Sequence, residues 1–395
     1  MNAQNTLEDF VSWPSFSDDE VSAVAEVLKS GKVNYWTGNQ GRSFEREYAS
    51  ALGRRHAIAL MNGTVALELP LRMLGIGAGD DVIVTPRSFI ASASCVVLQG
   101  ARPVFADIDP VSGNLTAQTI ERALTPRTRA IVLVHLGGWP CEMDDILALA
   151  DERRLAVIED CAQAHGAAYK GREVGSFGYA ASFSFCQDKI ITTGGEGGLL
   201  ATDDEEMWSR AWAFKDHGKS FDAVYGRQHP PGFRWLHESF GTNWRMTELQ
   251  AAIGRLQLRK LSDWNEKRRA NAALLAEGLS STPGLLVPQP PEYVRHAYYR
   301  FYAHVEVNRL RSGWDRDRVV AEVTQRGVPC FSGSCSEMYR EKAFVRHDLA
   351  PEQPLKIASQ FTSSSIALLV HPTLEAHHMI RAADVLRTVL KQAVR

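Results

Sequence analysis

The chain reads as an α/β protein, a largely parallel sheet covered on both faces by helices, followed by a smaller α+β unit. Two observations predict this. Short apolar, β-branched runs alternate with amphipathic helical stretches as far as GLLAT (198–202), the pattern of strand–helix–strand units in a two-sided sheet. Near position 245 the alternation gives way to one long Ala/Leu-rich stretch, MTELQAAIGRLQLRKLSDWNEKRRANAALLAEGL (246–279).

In order, the expected strands are HAIAL (56–60), DVIV (81–84), PVFAD (103–107), RAIVLV (129–134), LAVIED (155–160), ASFSF (181–185) and GLLAT (198–202). Helical patterns separate most of them: TVALELPLRML (64–74), SFIASASCVVLQ (88–99), TAQTIERAL (116–124) and EMDDILALADERR (142–154). Pro70 inside the first of these is expected to kink it or confine its regular turn to the start. In the long stretch Thr247 is placed to cap the helix, with Gln250 as its capping-box partner. Beyond STPG (281–284) come a β-like YYRFYAHVEV (298–307), a helix from about Asp315 to Arg326 and a C-terminal helix from about His377. The expected division is a large domain over 14–265 and a small one over 266–395, with residues 1–13 as an N-terminal segment and the helix at about 246–279 as the connection.

Composition excludes several functions. Of 395 residues, 44 are basic and 46 acidic, a net charge of −2. No bulk field draws nucleic acid or an anionic membrane to such a surface. No window approaches the ~20 apolar residues of a membrane span. MNAQNTLEDFVSW lacks the basic and apolar regions of a secretory signal, so a cytoplasmic protein is expected. The cysteines at 95, 141, 161, 186, 330 and 335 are never spaced CxxC. They read as reduced thiols, with no disulfide framework and no metal site.

Four strands end at or beside a polar residue: Asp107, His135, Asp160 and Cys186. Ligands of open α/β sheets bind at those carboxyl ends. Lys189, in FSFCQDKIITTGGEGG (183–198), follows Asp160 of IEDCAQAHG (158–166). A lysine amine that condenses with an aldehyde and a buried carboxylate that keeps a heteroaromatic nitrogen protonated are what pyridoxal 5'-phosphate requires. Alternation along the preceding strand puts Ser182, Ser184 and Cys186 on one face and Phe183 and Phe185 on the other, with Lys189 at the sheet edge. Glu159 points away from Asp160, to the opposite face. Gln163 is a candidate donor to a phenolic oxygen, while His165 reads equally as a packing or a catalytic histidine. Asn62-Gly63-Thr64 opens a helix, where Gly63 permits close approach and Thr64 offers a hydroxyl and an N–H to a phosphate. Phe89, taken to open the next helix, is a candidate to stack on the pyridine ring or a core phenylalanine.

In order, NGTVALELPLRMLGIGAGDDVIV, FADIDPVSGNL, VHLGGWPCEMDDI, VIEDCAQAHGAAYKGREVGSFGYAASFSF, TTGGEGGLLATDD, NWRMTELQAAIGRLQL and LLVHP resemble the DegT/DnrJ/EryC1/StrS family of pyridoxal-phosphate-dependent sugar aminotransferases. The resemblance runs from about Phe16 to the C-terminus and implies the fold type I, aspartate aminotransferase-like architecture. It implies Lys189 as the Schiff-base lysine, Asp160 as the pyridinium partner, Gln163 and Phe89 on the two ring faces, and Gly63, Thr64 and Ser184 at the phosphate. Asn243, in TNWRMTE, matches an asparagine that family members lend to the neighbouring subunit's phosphate, so a homodimer with its active site at the subunit interface is implied.

Two positions depart from the family pattern. Cys186-Gln187-Asp188 replaces the usual aromatic, proline and small hydroxyl residue, and Arg87 replaces a small residue. Arg87 is a candidate for an anionic group of a substrate, with a surface arginine the plainer expectation. Tyr35, Trp36, Thr37 and Arg245 fall in stretches that resemble substrate-facing loops. The implied reaction moves an amino group from L-glutamate to a keto-sugar, nucleotide-linked, for amino-sugar biosynthesis. The alternatives are a keto-cyclitol or aminoshikimate-type acceptor, a sugar dehydratase (against which Lys189 argues) and a non-enzymatic binding or regulatory protein.

Overall fold

The computed structural model describes residues 10–395; the first nine of the expected N-terminal segment, 1–13, lie outside the described residues. The seven expected apolar runs become β1 (His56–Leu60), β2 (Asp81–Val84), β3 (Arg102–Phe105), β4 (Thr128–Val134) and β5 (Ala156–Asp160), then, past the short strands β6 (Ala168–Tyr169) and β7 (Arg172–Glu173), β8 (Ala180–Ser184) and β9 (Gly198–Thr202). The seven longer strands form one sheet in the order β1-β9-β8-β5-β4-β2-β3. Its neighbours β8–β5, β5–β4, β4–β2 and β2–β3 pair in parallel, while β9 runs antiparallel to β8 and β1. The carboxyl ends of β1, β2, β4, β5 and β8 therefore share one edge, which is where an open α/β sheet collects a ligand.

The helix Gly63–Met73 does not stop at Pro70. Proline lacks the N–H that would bond the carbonyl of Ala66, four residues earlier. That acceptor is taken instead by the Ser182 hydroxyl of β8. A side chain from the adjacent sheet supplies what the proline removes, so the regular turn is not confined to the helix start.

Thr247 and Gln250 form the expected capping box and start a helix that runs from Glu248 to Leu279. Its first half packs Ala251 beside Phe185 and Phe44, under the large sheet. Its second half adds Leu275 and Leu279 to a different cluster, with Val305, Val319 and Leu386. That cluster is built on strands β10 (Leu285–Leu286), β12 (Phe301–Val305), β13 (Cys330–Phe331) and β14 (Ser365–Leu368), which form an antiparallel sheet in the order β10-β12-β14-β13. The short strand β11 (Val294–Arg295) pairs with β6 and joins the two parts of the molecule. The helices Arg316–Gln325 and Ala376–Ala393 cover the smaller sheet. Among the described residues no helix is long and apolar enough to cross a membrane.

Candidate active site

At the shared edge lies a cavity of about 410 Å³. Gly63, Thr64, Phe89, Asp160, Gln163, Ser184 and Lys189 all line it. A second cavity of about 620 Å³ adjoins it, sharing Phe89, Gln163 and Lys189 and running on to Tyr299, Arg300 and Ser334 beside the smaller sheet.

Asp160 ends β5 and is only 3% exposed. Its Oδ2 accepts from the Ser92 hydroxyl at 2.7 Å and its Oδ1 from the N–H of Ala162 at 3.1 Å. Burial pushes its pKa up, and these bonds and the charge of Lys189 only partly oppose that. No basic side chain satisfies it within hydrogen-bond reach among the described residues. Such a carboxyl suits a protonated ring nitrogen, which would restore its charge. Glu159, one residue earlier, faces the opposite way and is fully used: it accepts from the N–H groups of Gly175, Phe177 and Gly178 at 2.7–2.8 Å and from His135 Nε2 at 3.1 Å. Nδ1 of His135 accepts from the N–H of Cys141 at 3.0 Å, which assigns the proton to Nε2. Cys161 completes a buried His–Glu–Cys group, but Glu159 and His135 have already spent their ligand atoms on these bonds.

Lys189 follows β8 in a turn closed by its own N–H on the carbonyl of Cys186, at 3.1 Å. Its Nζ lies 3.2 Å from Oδ1 of Asp188 and its side chain is mostly buried. Gln163 spends its amide oxygen on the N–H of Gly137 at 2.8 Å, which leaves the NH2 for the cavity. Asn62 caps the Gly63–Met73 helix by accepting from the N–H of Val65 at 3.0 Å. The other N–H groups of the first turn face the cavity edge with no acidic residue among them, a ready anion site. At Gly63 an added Cβ would stand 2.5 Å from Cβ of Ser184, so glycine is what lets the helix end and the Ser184 hydroxyl close on one point. His165 is structural: Tyr48 OH lies 2.7 Å from its Nδ1, its Nε2 is 2.9 Å from the carbonyl of Ser184, and burial pushes its pKa down to about 3.

The structure corrects two expectations, those for Phe89 and Arg87. Phe89 does not open a helix, which starts at Ala91; it precedes that helix with its ring 69% exposed at the cavity mouth, neither packed in the core nor covered. Arg87 is not a surface arginine. It is 2% exposed, bonded to Ser365 Oγ at 2.8 Å, and its guanidinium lies 4.9 Å from the Tyr302 ring and 4.6 Å from the Phe361 ring. It lines neither active-site cavity. Tyr35, Trp36, Thr37 and Arg245 also lie outside both cavities of this chain. Tyr35 is buried against Glu45, and Arg245 is paired with Asp216. Asn243 is exposed and lines neither cavity.

Sequence reasoning missed Ser88 and Ser92. They lie four residues apart across the start of the helix that begins at Ala91, and their hydroxyls form a relay at 2.8 Å that ends on Asp160. Two serines just after a strand that ends at the ligand edge were the available signal. Tyr299 and Arg300 carried none, since YYRFYAHVEV reads as a plain strand.

Known proteins agree with this architecture. An aminotransferase from Psychrobacter cryohalolentis is 52% identical, with a TM-score of 0.95 over 97% of this chain and 99% of that one. DesV from S. venezuelae, solved in complex with a ketimine intermediate, is 34% identical with a TM-score of 0.84 over 94% of each chain. The UDP-N-acetyl-3-dehydro-alpha-D-glucosamine 3-aminotransferase of Acidithiobacillus ferrooxidans is 35% identical over 94% of both chains. Residues 14–387 match the DegT/DnrJ/EryC1/StrS aminotransferase family, and to that family of enzymes the chain belongs.

Proposed function

We propose that this aminotransferase uses pyridoxal 5'-phosphate to move an amino group from L-glutamate to a keto-sugar carried on a nucleotide, for amino-sugar biosynthesis. One observation carries the reading. A lysine amine, a buried carboxyl without a basic partner and an open helix N-terminus converge on one cavity, and these three groups suit the aldehyde, ring nitrogen and phosphate of that molecule. The A. ferrooxidans relative, named for a UDP-linked dehydro-glucosamine, supports the acceptor class.

When bound, pyridoxal phosphate supplies an aldehyde that condenses with amines and a cationic ring that withdraws electrons from the attached carbon. The protein's own part is to place and to transfer protons. Asp160, held by Ser92 and Ala162, would keep a proton on the ring nitrogen. The N–H groups at Gly63 and Thr64, with the Ser184 hydroxyl, would hold the phosphate dianion. Gln163, with its NH2 free, and Phe89, with its ring exposed, would line the ring's site. Lys189 Nζ, as a free amine, would take the proton from the α-carbon of the donor and return it to the cofactor carbon.

The subunit reading belongs here as well. Asn243 is exposed, and Phe233, Trp235 and Phe240 before it are 77%, 82% and 99% exposed. Such an apolar segment suits burial against a second copy, with Asn243 lent to the partner's phosphate. A large unit over 14–265 and a small one over 266–395 are proposed on the distinct cluster that the smaller sheet builds. The cytoplasm is proposed on the six free thiols.

The test is the visible spectrum of the purified protein before and after L-glutamate. A yellow band that bleaches with glutamate and is missing in Lys189→Ala supports the reading. A chain that stays colourless with added pyridoxal phosphate overturns it.

A further inference from the structure

Asp188 has no part in the scheme above, yet its carboxylate meets three groups from two parts of the fold. Oδ1 lies 3.2 Å from Nζ of Lys189, Tyr299 OH donates to Oδ2, and Nη2 of Arg300 lies 3.9 Å from Oδ2. Tyr299 is itself buried and held. Its N–H donates to the carbonyl of Gly137 at 2.9 Å, its ring packs in the core beneath the large sheet, and that ring lies 5.2 Å from Nζ of Lys189. Burial lifts the phenol pKa well above its ordinary value, so the hydroxyl stays a donor. For Asp188, burial favours the neutral acid, but the charge of Lys189 and the Tyr299 bond outweigh it and hold the carboxyl below its ordinary range.

The backbone on either side is fixed too. The N–H of Lys189 is bound to Cys186, and its carbonyl accepts from the indole of Trp13 at 2.8 Å. What remains free is the flexible four-carbon stem of the lysine. The other ionisable groups that face Nζ are Asp160, already held by Ser92 and Ala162, the cation Arg300, His165, neutral through burial, and the Cys186 thiol. Among the described residues, Asp188 is the only hydrogen-bond partner of Nζ.

We propose that Asp188, clamped by Tyr299, is the positioning residue for Lys189. It holds the ε-ammonium between the two cavities whenever the amine is free, so that the proton taken from the donor carbon is returned and does not swing into solvent. Nζ gains and loses that proton; Asp188 keeps its charge throughout. This rests on the assignment of Lys189 under the proposed function, and two readouts separate the two claims.

In cofactor-free protein, acetylation of Lys189 by acetic anhydride is followed by peptide mass spectrometry, with exposed Lys29 and Lys32 as internal references. Loss of its hydrogen-bond partner frees Nζ and is expected to speed it severalfold in Asp188→Asn, less in Tyr299→Phe, and hardly at all in Asp188→Glu. With the loaded enzyme, α-deuterated glutamate is expected to show a larger isotope effect on kcat in Asp188→Asn, with KM for glutamate little changed and Asp188→Glu recovering part of the loss. Unchanged acetylation in Asp188→Asn overturns the pairing, whatever the enzyme turns over. Faster acetylation with an unmoved isotope effect overturns the positioning role. Faster acetylation in a chain that never processes glutamate sinks the donor assignment and upholds the Asp188–Lys189 pair.

Discussion

The indole N–H of Trp13 donates to the backbone carbonyl of Lys189 at 2.8 Å, across 176 positions of chain. The indole is wedged edge-on against Trp264 at 5.0 Å, beside His371 at 6.0 Å, with the Arg268 guanidinium 5.2 Å away. The start of the chain thus supports the turn that carries the reactive amine. Trp13→Phe keeps most of the packing and deletes the bond. It is expected to lower stability by about 1 kcal/mol, read from urea unfolding, and to slow a single turnover with glutamate more than it weakens glutamate binding. Equal effects on rate and binding would mean that the bond merely helps the chain fold.

Asp160→Asn should separate stability from activity. Because burial raises the folded-state pKa of Asp160, its contribution is favourable below the unfolded value, about 3.9, and is lost as pH rises through the folded value. The ligand-free asparagine variant is therefore expected to melt higher than wild type at pH 7, with the gap closing toward pH 3.5. Turnover should fall about a hundredfold or more, the scale seen when one preorganised polar partner is removed.

Glu159→Gln carries the opposite sign. Burial would raise the pKa of Glu159, but His135 and the N–H groups of Gly178 and Gly175 hold it below the ordinary value. Its stabilisation is present above the unfolded pKa of about 4.3 and lost as pH falls through the lowered folded value. The amide turns N–H groups toward N–H donors, and a loss of about 3 kcal/mol at pH 7 is expected, shrinking below pH 4 in chemical denaturation.

Gly63→Ala puts a Cβ 2.5 Å from Cβ of Ser184 and 2.9 Å from its Oγ. The helix end must lift away, costing about 1–3 kcal/mol. Inorganic phosphate, titrated by calorimetry into ligand-free protein, is expected to bind the variant several-fold more weakly. Undiminished phosphate affinity would move the anion site elsewhere.

Much of this was legible in the chain because one physical signal repeats. Apolar β-branched runs of five residues or so have one stable use between amphipathic helices, so every strand of the large sheet was placed to within a residue or two. The period of two along β5 and β8 likewise predicts which side of each strand Glu159, Asp160, Ser184 and Phe185 occupy. Arg87 was misjudged because its partners Tyr302, Phe361 and Ser365 arrive from far along the chain, and guanidinium burial between two rings has no local pattern. The pairs of Tyr35 with Glu45 and of Arg245 with Asp216 have no local pattern either. Tyr299 was invisible because an alternating aromatic strand looks alike whether its hydroxyl meets water or a carboxylate.

Glu159 and Asp160 are neighbours on one strand with opposite occupations, one locked into loop amides and the other turned to the cavity. Removing a single residue from β5 would therefore do more than shorten it. The acid meant for the ligand would be delivered to the loop at 175–178, and the loop's own acid would be delivered to the ligand. The spacing between Ala156 and Asp160 is thus as fixed as the identity of either carboxylate, whereas the exposed tip at 170–172 has room to grow. Insertions and deletions among relatives, or in a library built on this scaffold, should accumulate at that tip and stop abruptly at the strand.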